Sequence, residues 1–175
     1  MPAEVVLDTS FIVDALLPSQ ERHVACRDYL ERLVVGDTFV IFNRLLELEL
    51  AEAAYKIALK ERFGKRRFME MRGDGRALRR ASRLAGLLRE SWSDVLDTLA
   101  WGRVELSESI GLVPDLMKRG LASYDAVHAA TALTTNVRYL VTLDAGFGRI
   151  KESDLVVLID SSRLAPCRKH RTRVI

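Results

Sequence analysis

Four short runs of apolar residues divide the chain, and segments with helical spacing separate them. The runs cover residues 4–8, 39–42, 139–143 and 155–159. Continuous apolar runs of this length are typical of strands that are buried on both faces of a sheet. Because parallel strands need long crossover connections, the alternation predicts an α/β fold with a parallel sheet between layers of helices.

The segments between these runs repeat apolar residues every three or four positions, as amphipathic helices do. Thr9 or Ser10 can cap the first helix, and Pro18 ends it. Residues 79–119 are predicted to be almost wholly helical, so a further strand there would be short or absent. The predicted helices cover residues 11–17, 21–35, 44–62, 79–102, 104–119 and a last segment that starts at Ser123.

Length and composition indicate one domain. A chain of 175 residues with 49% hydrophobic content is long enough for one core and marginal for two. We therefore expect a single domain over residues 1–165, followed by a basic tail at 166–175 that is predicted to be disordered. The net charge is only +3, so any affinity for nucleic acid must come from local clusters of basic residues.

One such cluster lies at residues 64–83, with eight basic residues against two acidic ones and three glycines. The composition predicts a mobile or partly helical insertion between two helices. The insertion could follow the phosphates of an RNA strand. A solvated connector is the alternative explanation of the same charges.

Cysteine content and hydropathy predict a soluble, cytoplasmic protein. Cys26 and Cys167 lie far apart and match no metal-ligand spacing, as expected for two free thiols in a reducing compartment. No segment approaches the roughly 20 apolar residues that span a bilayer, so no membrane association is expected.

Acidic residues stand where the predicted strands end. Asp8 closes the first apolar run, and Asp144 follows the third. The carboxyl ends of parallel strands meet at one edge of a sheet, so these two acids are predicted to lie close together. Asp125 lies in the first turn of the helix that starts at Ser123. A fourth acid would come from the start of the 44–62 helix, which offers Glu47, Glu49 and Glu52.

Each acid also has a purely structural explanation. Asp8 could cap its helix, Asp125 could interact with the helix dipole, and Asp144 could be a turn residue. Glu52 and Lys56 are spaced for a helical ion pair. These explanations leave the convergence unexplained, because crowded carboxylates raise one another's pKa unless a cation neutralises them. An all-oxygen cluster suits Mg²⁺, or Mn²⁺ in its place.

Three blocks, LDTSFIVDALL, YDAVHAATAL and LVTLDAGF, occur in that order. With them the chain resembles the PIN-domain ribonucleases, in particular the VapC-like toxins of VapBC toxin–antitoxin modules. The resemblance implies a three-layer α/β/α sandwich with a central parallel sheet of four or five strands. It also implies Mg²⁺-dependent endoribonuclease activity on RNA, a homodimer, and a cognate VapB-like antitoxin that blocks the site.

The resemblance also assigns the acids. Asp8 matches the first acid of the family, Asp125 the third and Asp144 the fourth. The second acid commonly follows a small polar residue by six positions, and Asn43 in that place selects Glu49. Helical geometry alone leaves Glu47 and Glu52 open, with Glu52 the next choice. Asp8 and Asp125 would bind Mg²⁺ directly, and Glu49 and Asp144 would complete the site.

Supporting or structural roles are expected for the other residues considered. The hydroxyl of Thr9 or Ser10 would hold a carboxylate or a bound water. His128, among apolar neighbours, is expected to be a satisfied packed side chain. Trp92 and Trp101 are expected in the core or at a dimer interface.

Three other functions compete with this assignment. A Ser-His-Asp hydrolase is poorly supported, because no nucleophile-elbow sequence accompanies Ser10. A haloacid-dehalogenase-type phosphohydrolase would need a second acid at position 10, which is serine. A non-catalytic PIN-like module that binds RNA or protein is the non-enzymatic alternative.

Overall fold

The computed structural model describes residues 1–150 and 155–158, and within them five parallel strands form one sheet. The prediction of an α/β fold around a parallel sheet of four or five strands is confirmed. In spatial order the strands are β3-β2-β1-β4-β5. Their bounds are β1 (Glu4–Leu7), β2 (Phe39–Asn43), β3 (Trp101–Val104), β4 (Tyr139–Val141) and β5 (Val156–Leu158).

Helices connect the strands and cover both faces of the sheet. Three 3₁₀ turns, at Phe68–Met71, Ile110–Leu112 and Ala145–Arg149, add to them. The helices are α1 (Thr9–Leu16), α2 (His23–Val35), α3 (Leu45–Arg67), α4 (Gly75–Leu96), α5 (Leu106–Ser109), α6 (Val113–Lys118) and α7 (Ser123–Thr134). In the described part of the chain, every helix is too short or too polar to cross a lipid bilayer.

The apolar strands explain the three layers. Successive strand residues point to opposite faces, so Val5 and Leu7 pack with α1 to α4, whereas Val6 packs with α6 and α7. In β2, Phe42 belongs to the first cluster and Ile41 to the second. The sheet is therefore buried on both sides, as its apolar runs predicted.

The order of the strands reverses beside β1. β1 pairs with β2 on one side and with β4 on the other, both in parallel. Such a switch point opens a crevice at the carboxyl ends of the strands. The backbone N–H of Asp8 donates to the carbonyl of Val141 over 3.0 Å, which joins the two strand ends directly. Residues that follow β1 and β4 are thus neighbours.

Residues 79–119 are less continuously helical than predicted, and the strand that was expected there to be short or absent is present with four residues. Helix α4 ends at Leu96, and β3 follows as an edge strand paired with β2. This strand depends on a distant partner, because Trp101 packs on Phe42 with ring centroids 5.6 Å apart. The predicted 104–119 helix is likewise divided. Pro114 lies in the first turn of α6, where its missing N–H costs nothing.

The two tryptophans occupy different environments. Trp92 is buried and meets Phe42 edge to face at 5.3 Å, so its expected place in the core is confirmed. Trp101 is 43% exposed on the edge strand.

The basic segment 64–83 is described and is partly helical. Gly64, with a φ of 74°, breaks α3, since this left-handed conformation favours glycine. The 3₁₀ turn Phe68–Met71 follows, and the Asp74 side chain accepts a hydrogen bond from the N–H of Ala77 at 2.8 Å to start α4. The segment therefore forms the tip of a helical hairpin of α3 and α4. The predicted basic tail at 166–175 lies outside the described residues.

Candidate active site

Asp8 follows β1 and is only 4% exposed. Its Oδ2 accepts hydrogen bonds from the hydroxyls of Ser10, at 2.5 Å, and Thr142, at 2.6 Å. Asp8 occupies the N-cap position of α1, but in the described part of the chain its side chain makes no capping hydrogen bond, so a side-chain cap does not explain it. Two hydroxyl donors on one oxygen instead fix the orientation of the Asp8 carboxyl group.

The same hydroxyls join the ends of β1 and β4. The N–H of Leu143 donates to Ser10 Oγ over 2.9 Å, and the N–H of Asp144 donates to Thr142 Oγ1 over 3.0 Å. Sequence reasoning did not single out Thr142. The available signal was a hydroxyl residue directly after a buried strand and two positions before an acid.

Glu49 is the α3 acid that reaches Asp8's neighbourhood. Its Oε2 accepts a hydrogen bond from Thr9 Oγ1 at 2.6 Å and lies 2.6 Å from Nε2 of His128. Glu47 instead lies 3.6 Å from the Arg103 guanidinium. Glu52 lines the same cleft as Glu49 and makes the ion pair expected from its spacing, at 2.8 Å from Lys56 Nζ.

Asp125 and Asp144 complete the group of acids. Asp125 is half-buried in the first turn of α7, and Asp144 is exposed after β4. Asp144 Oδ1 accepts the N–H of Gly146 at 2.6 Å, so its turn role is present as well. A Cβ placed on Gly146 would lie 3.0 Å from Asp144 Oδ1 and 3.8 Å from Asp125 Oδ2. The two carboxylates therefore flank one glycine.

The acids affect one another electrostatically. The pKa of Asp125 is raised from 3.8 to about 6, mainly by burial and then by the negative charges of Asp144 and Asp8. Glu49 adds to this effect, and His128 opposes it. When a carboxyl with such a pKa is ionised, its surroundings do not neutralise its negative charge.

His128 is fully buried beneath the acids. Its Nε2 lies 2.6 Å from Glu49 and 3.4 Å from Asp8 Oδ1. Burial alone lowers the pKa of His128, but the Glu49 hydrogen bond and the Asp8 charge outweigh burial and raise it.

The expectation that His128 is a satisfied packed side chain needs correction. The ring is packed, yet its Nδ1 has no hydrogen-bond partner among the described residues. Its Nε2 also connects two of the predicted site acids. The sequence contained a signal, since His128 follows Asp125 by three positions and so shares its face of α7.

An open cleft of about 500 Å³ is lined by all four predicted site acids. Arg22, Lys56 and Lys60 are its basic residues. Asp14 adds a further half-buried acid, whose pKa is raised by burial against the opposing charge of Arg22. The acids that line the cleft are Asp8, Asp14, Glu49, Glu52, Asp125 and Asp144.

The donor set matches a hard divalent cation, although its side chains do not converge. Within residues 1–150 and 155–158, no three His, Cys, Asp or Glu side chains form a group that could hold a metal. Asp8, Glu49 and Asp144 each turn an oxygen toward a protein donor. Carboxylate oxygens are nevertheless what Mg²⁺ and Mn²⁺ prefer, and the raised pKa of Asp125 marks uncompensated negative charge. The residues thus fit such an ion by the chemistry of their oxygen ligands.

Comparison with known proteins agrees with this geometry. The PIN domain family model matches residues 5–153, which include every acid described above. No curated protein matches the sequence significantly. The chain therefore belongs to the PIN domain family, whose members are typically nucleases that use divalent metal ions.

Proposed function

We propose that this protein is a divalent-metal-dependent endoribonuclease and the toxin of a type II toxin–antitoxin system. One observation carries the nuclease assignment. Asp8, Glu49, Asp125 and Asp144 line one cleft at the switch point of the sheet. Burial, and then the negative charges of Asp144 and Asp8, raise the pKa of Asp125, as expected for a site built to receive a cation.

Asp8 and Asp125 would hold Mg²⁺ or Mn²⁺, and Glu49 and Asp144 would complete the site. The ion would supply charge neutralisation and water activation for hydrolysis of a phosphodiester. Ser10 and Thr142 orient Asp8 by hydrogen bonds to its Oδ2, and Thr9 and His128 orient Glu49 in the same way. Glu49 is preferred as the second acid because Glu47 contacts Arg103 instead.

The basic groups support an RNA substrate. Lys56 and Lys60 follow Glu52 on α3 at intervals of four residues, so they continue along the helix from the acids toward the hairpin tip. The segment 64–83 extends the positive charge beyond the cleft. Phosphate contacts of this kind supply affinity without sequence preference.

An RNA cleavage assay tests the nuclease proposal. The wild type should cut single-stranded RNA with Mg²⁺ or Mn²⁺ and stop in EDTA. Asp8→Asn and Asp125→Asn should lose at least about 100-fold in rate, as removal of charged groups at the reacting centre does. Glu47→Gln, outside the acid group, is the matched control and should keep its activity. Full-rate cleavage in EDTA, or by Asp8→Asn, would refute the proposal.

The proposed toxin role implies two protein contacts. One is with a VapB-like antitoxin, and the other is with a second copy of the chain in a homodimer. Exposed apolar side chains support protein contacts. They lie around β3 and the helices that follow it: Trp101, Leu106, Ile110, Leu112 and Met117. Expression of the chain alone should stop growth, and expression of Asp8→Asn should not. Equal growth arrest by both would contradict a toxin role based on cleavage.

A non-catalytic RNA-binding module is the second candidate, favoured by the lack of a formed metal group in the described ranges. It would bind RNA and never cut it with any divalent ion. The phosphohydrolase alternative has less support, because the position of its second acid holds Ser10, whose hydroxyl donates to Asp8 and accepts the N–H of Leu143. Release of inorganic phosphate from a phosphomonoester would favour it.

A further inference from the structure

A small pocket of about 200 Å³ adjoins the acidic cleft. It shares Glu52 and Lys56 with the cleft, so the two spaces are continuous along α3. Its volume lies below the about 300–1,000 Å³ of drug-sized ligand sites, which suits a single ring system. The pocket is lined by Glu52, Tyr55, Lys56, Leu59, Phe68 and Arg72.

The break in α3 creates this pocket. After Gly64 the chain turns, and the 3₁₀ turn brings Phe68 back beside α3. Lys60 Nζ lies 5.2 Å from the centre of the Phe68 ring, and the Tyr55 hydroxyl donates to the carbonyl of Arg72. The two aromatic side chains are thus held in place by contacts across the hairpin.

We propose that this pocket binds one nucleobase of a single-stranded RNA whose backbone passes through the acidic cleft. The proposal rests on the nuclease function above and adds a subsite to it. Aromatic side chains beside a cationic groove are the usual platform for unpaired bases, because every base has a face that can stack. Tyr55 and Phe68 provide the rings, and Lys56 and Lys60 provide the charge for the adjoining phosphates.

The position along α3 fixes which base enters. Glu52 and Tyr55 follow Glu49 by three and six residues, which is about 4.5 and 9 Å of helix rise. Stacked nucleotides repeat at about 3.4 Å along a strand. The subsite therefore takes a base within a few nucleotides of the phosphate that the acids face. Bases in a duplex are stacked and cannot enter such a pocket, so the substrate class is single-stranded RNA.

Removal of the ring tests the subsite. Binding of a fluorescently labelled 10-nucleotide RNA is measured by anisotropy in the Asp8→Asn background, so that cleavage does not interfere. Phe68→Leu should weaken binding about tenfold, within the range for loss of one base stack. Phe63→Leu is the matched control, because Phe63 is a nearby phenylalanine on α3 that does not line the pocket, and the affinity of this variant should not change. Thermal unfolding checks that both variants fold.

A scan with abasic nucleotides makes the test specific. Each base of the RNA is removed in turn. At one position, loss of the base should weaken binding to the protein that keeps Phe68 but not to the Phe68→Leu variant. Equal penalties in both proteins at every position would overturn the subsite and leave the nuclease proposal standing. If the Asp8→Asn and wild-type proteins bind no RNA at all, the proposed function fails and the subsite fails with it.

Discussion

At the residue scale, the acid group makes the metal-free fold less stable than it could be. The pKa of Asp125 is about 6 in the folded chain against an ordinary value of 3.8. Between these values the folded state holds a proton that the unfolded state has lost, so folding becomes more favourable as the pH falls through that range. Above about pH 6, the ionised Asp125 destabilises the fold. Functional sites often accept such a cost.

Asp125→Asn should therefore stabilise the metal-free protein. In EDTA near pH 7.5 we expect a gain on the order of 1 kcal/mol in the free energy of unfolding, reduced by solvent screening of a half-exposed carboxyl. Urea unfolding measures it. The gain should shrink as the pH approaches about 4, where the wild-type carboxyl is protonated in the folded state and close to half protonated in the unfolded state.

Asp115→Asn is the control for this experiment. Lys118 holds the pKa of Asp115 below its usual value, so loss of its charge should not stabilise the fold. If Asp125→Asn is destabilised at every pH, then burial and the neighbouring negative charges do not raise the pKa of Asp125 as described.

His128 acts through Glu49 and is a positioning residue. His128→Leu removes the N–H that holds Glu49 Oε2, and the expected result is a 10- to 100-fold fall in kcat or in Mn²⁺ affinity, as is usual for partners of ligands. His128→Gln keeps an N–H donor and should recover part of the loss, with KM for RNA unchanged. Titration calorimetry with Mn²⁺ provides the second measurement. Equal activity of both variants and the wild type would exclude this role.

The expectation that site residues follow the carboxyl ends of parallel strands identified Asp8 and Asp144. It did not identify the groups that hold the acids in place. Thr142 reaches Asp8 across 134 residues, and His128 reaches Glu49 across 79. Such contacts depend on the order of the strands, which the apolar pattern does not determine. Helical geometry could not choose among the α3 acids for the same reason, because the partner of Glu47 is Arg103 on the short strand β3, which the sequence did not locate.

At the element scale, Asn43 connects four elements at the edge of the site. It is fully buried at the end of β2, and its Oδ1 accepts the N–H of Leu45 at 2.9 Å to begin α3. Its Nδ2 donates to the hydroxyls of Ser109 on α5 and Thr131 on α7, each at 3.3 Å. The start of α3, and with it Glu49, is thus fixed against α7.

Asn43→Ala should lower the free energy of unfolding by about 2–3 kcal/mol, because three hydrogen bonds are removed in a buried place. Urea denaturation gives this number. Thr98→Ala, which removes one exposed local hydrogen bond, should stay within about 0.5 kcal/mol of wild type. A destabilisation as small as that of Thr98→Ala would show that α3 is positioned by other interactions.

Element types were predicted well where the local pattern was strong and poorly where a distant partner decides. The strand runs at β1, β2 and β4 are mostly apolar, so burial on both faces was evident. β3 is an edge strand of four residues in which Trp101 and Arg103 are exposed. Its local signal was weak, and pairing with β2 overrides the preceding helical pattern.

At the scale of the whole molecule, charge is separated between an acidic cleft and a basic hairpin tip. The net charge of +3 conceals this arrangement. If the hairpin tip follows phosphates, reversing Arg76 and Arg79 to Glu should weaken RNA binding. It should also flatten the salt dependence, by about 0.7 in the log–log slope for each phosphate that the variant no longer neutralises.

The matched control reverses Arg27 and Arg32 on α2, which changes the net charge equally. Anisotropy titrations over a range of salt concentrations compare the two variants. The same fall in affinity and slope in both would mean that overall charge, and not the hairpin tip, governs binding.

The most direct test of the central claim is anomalous diffraction from crystals grown with Mn²⁺. The claim is that distant carboxylates meet around a divalent ion at the carboxyl edge of β1 and β4. The predicted result is an anomalous peak bound by the carboxylates of Asp8 and Asp125, absent from crystals of Asp8→Asn. A well-ordered wild-type structure that binds Mn²⁺ elsewhere, with no peak in this cleft, would contradict the claim.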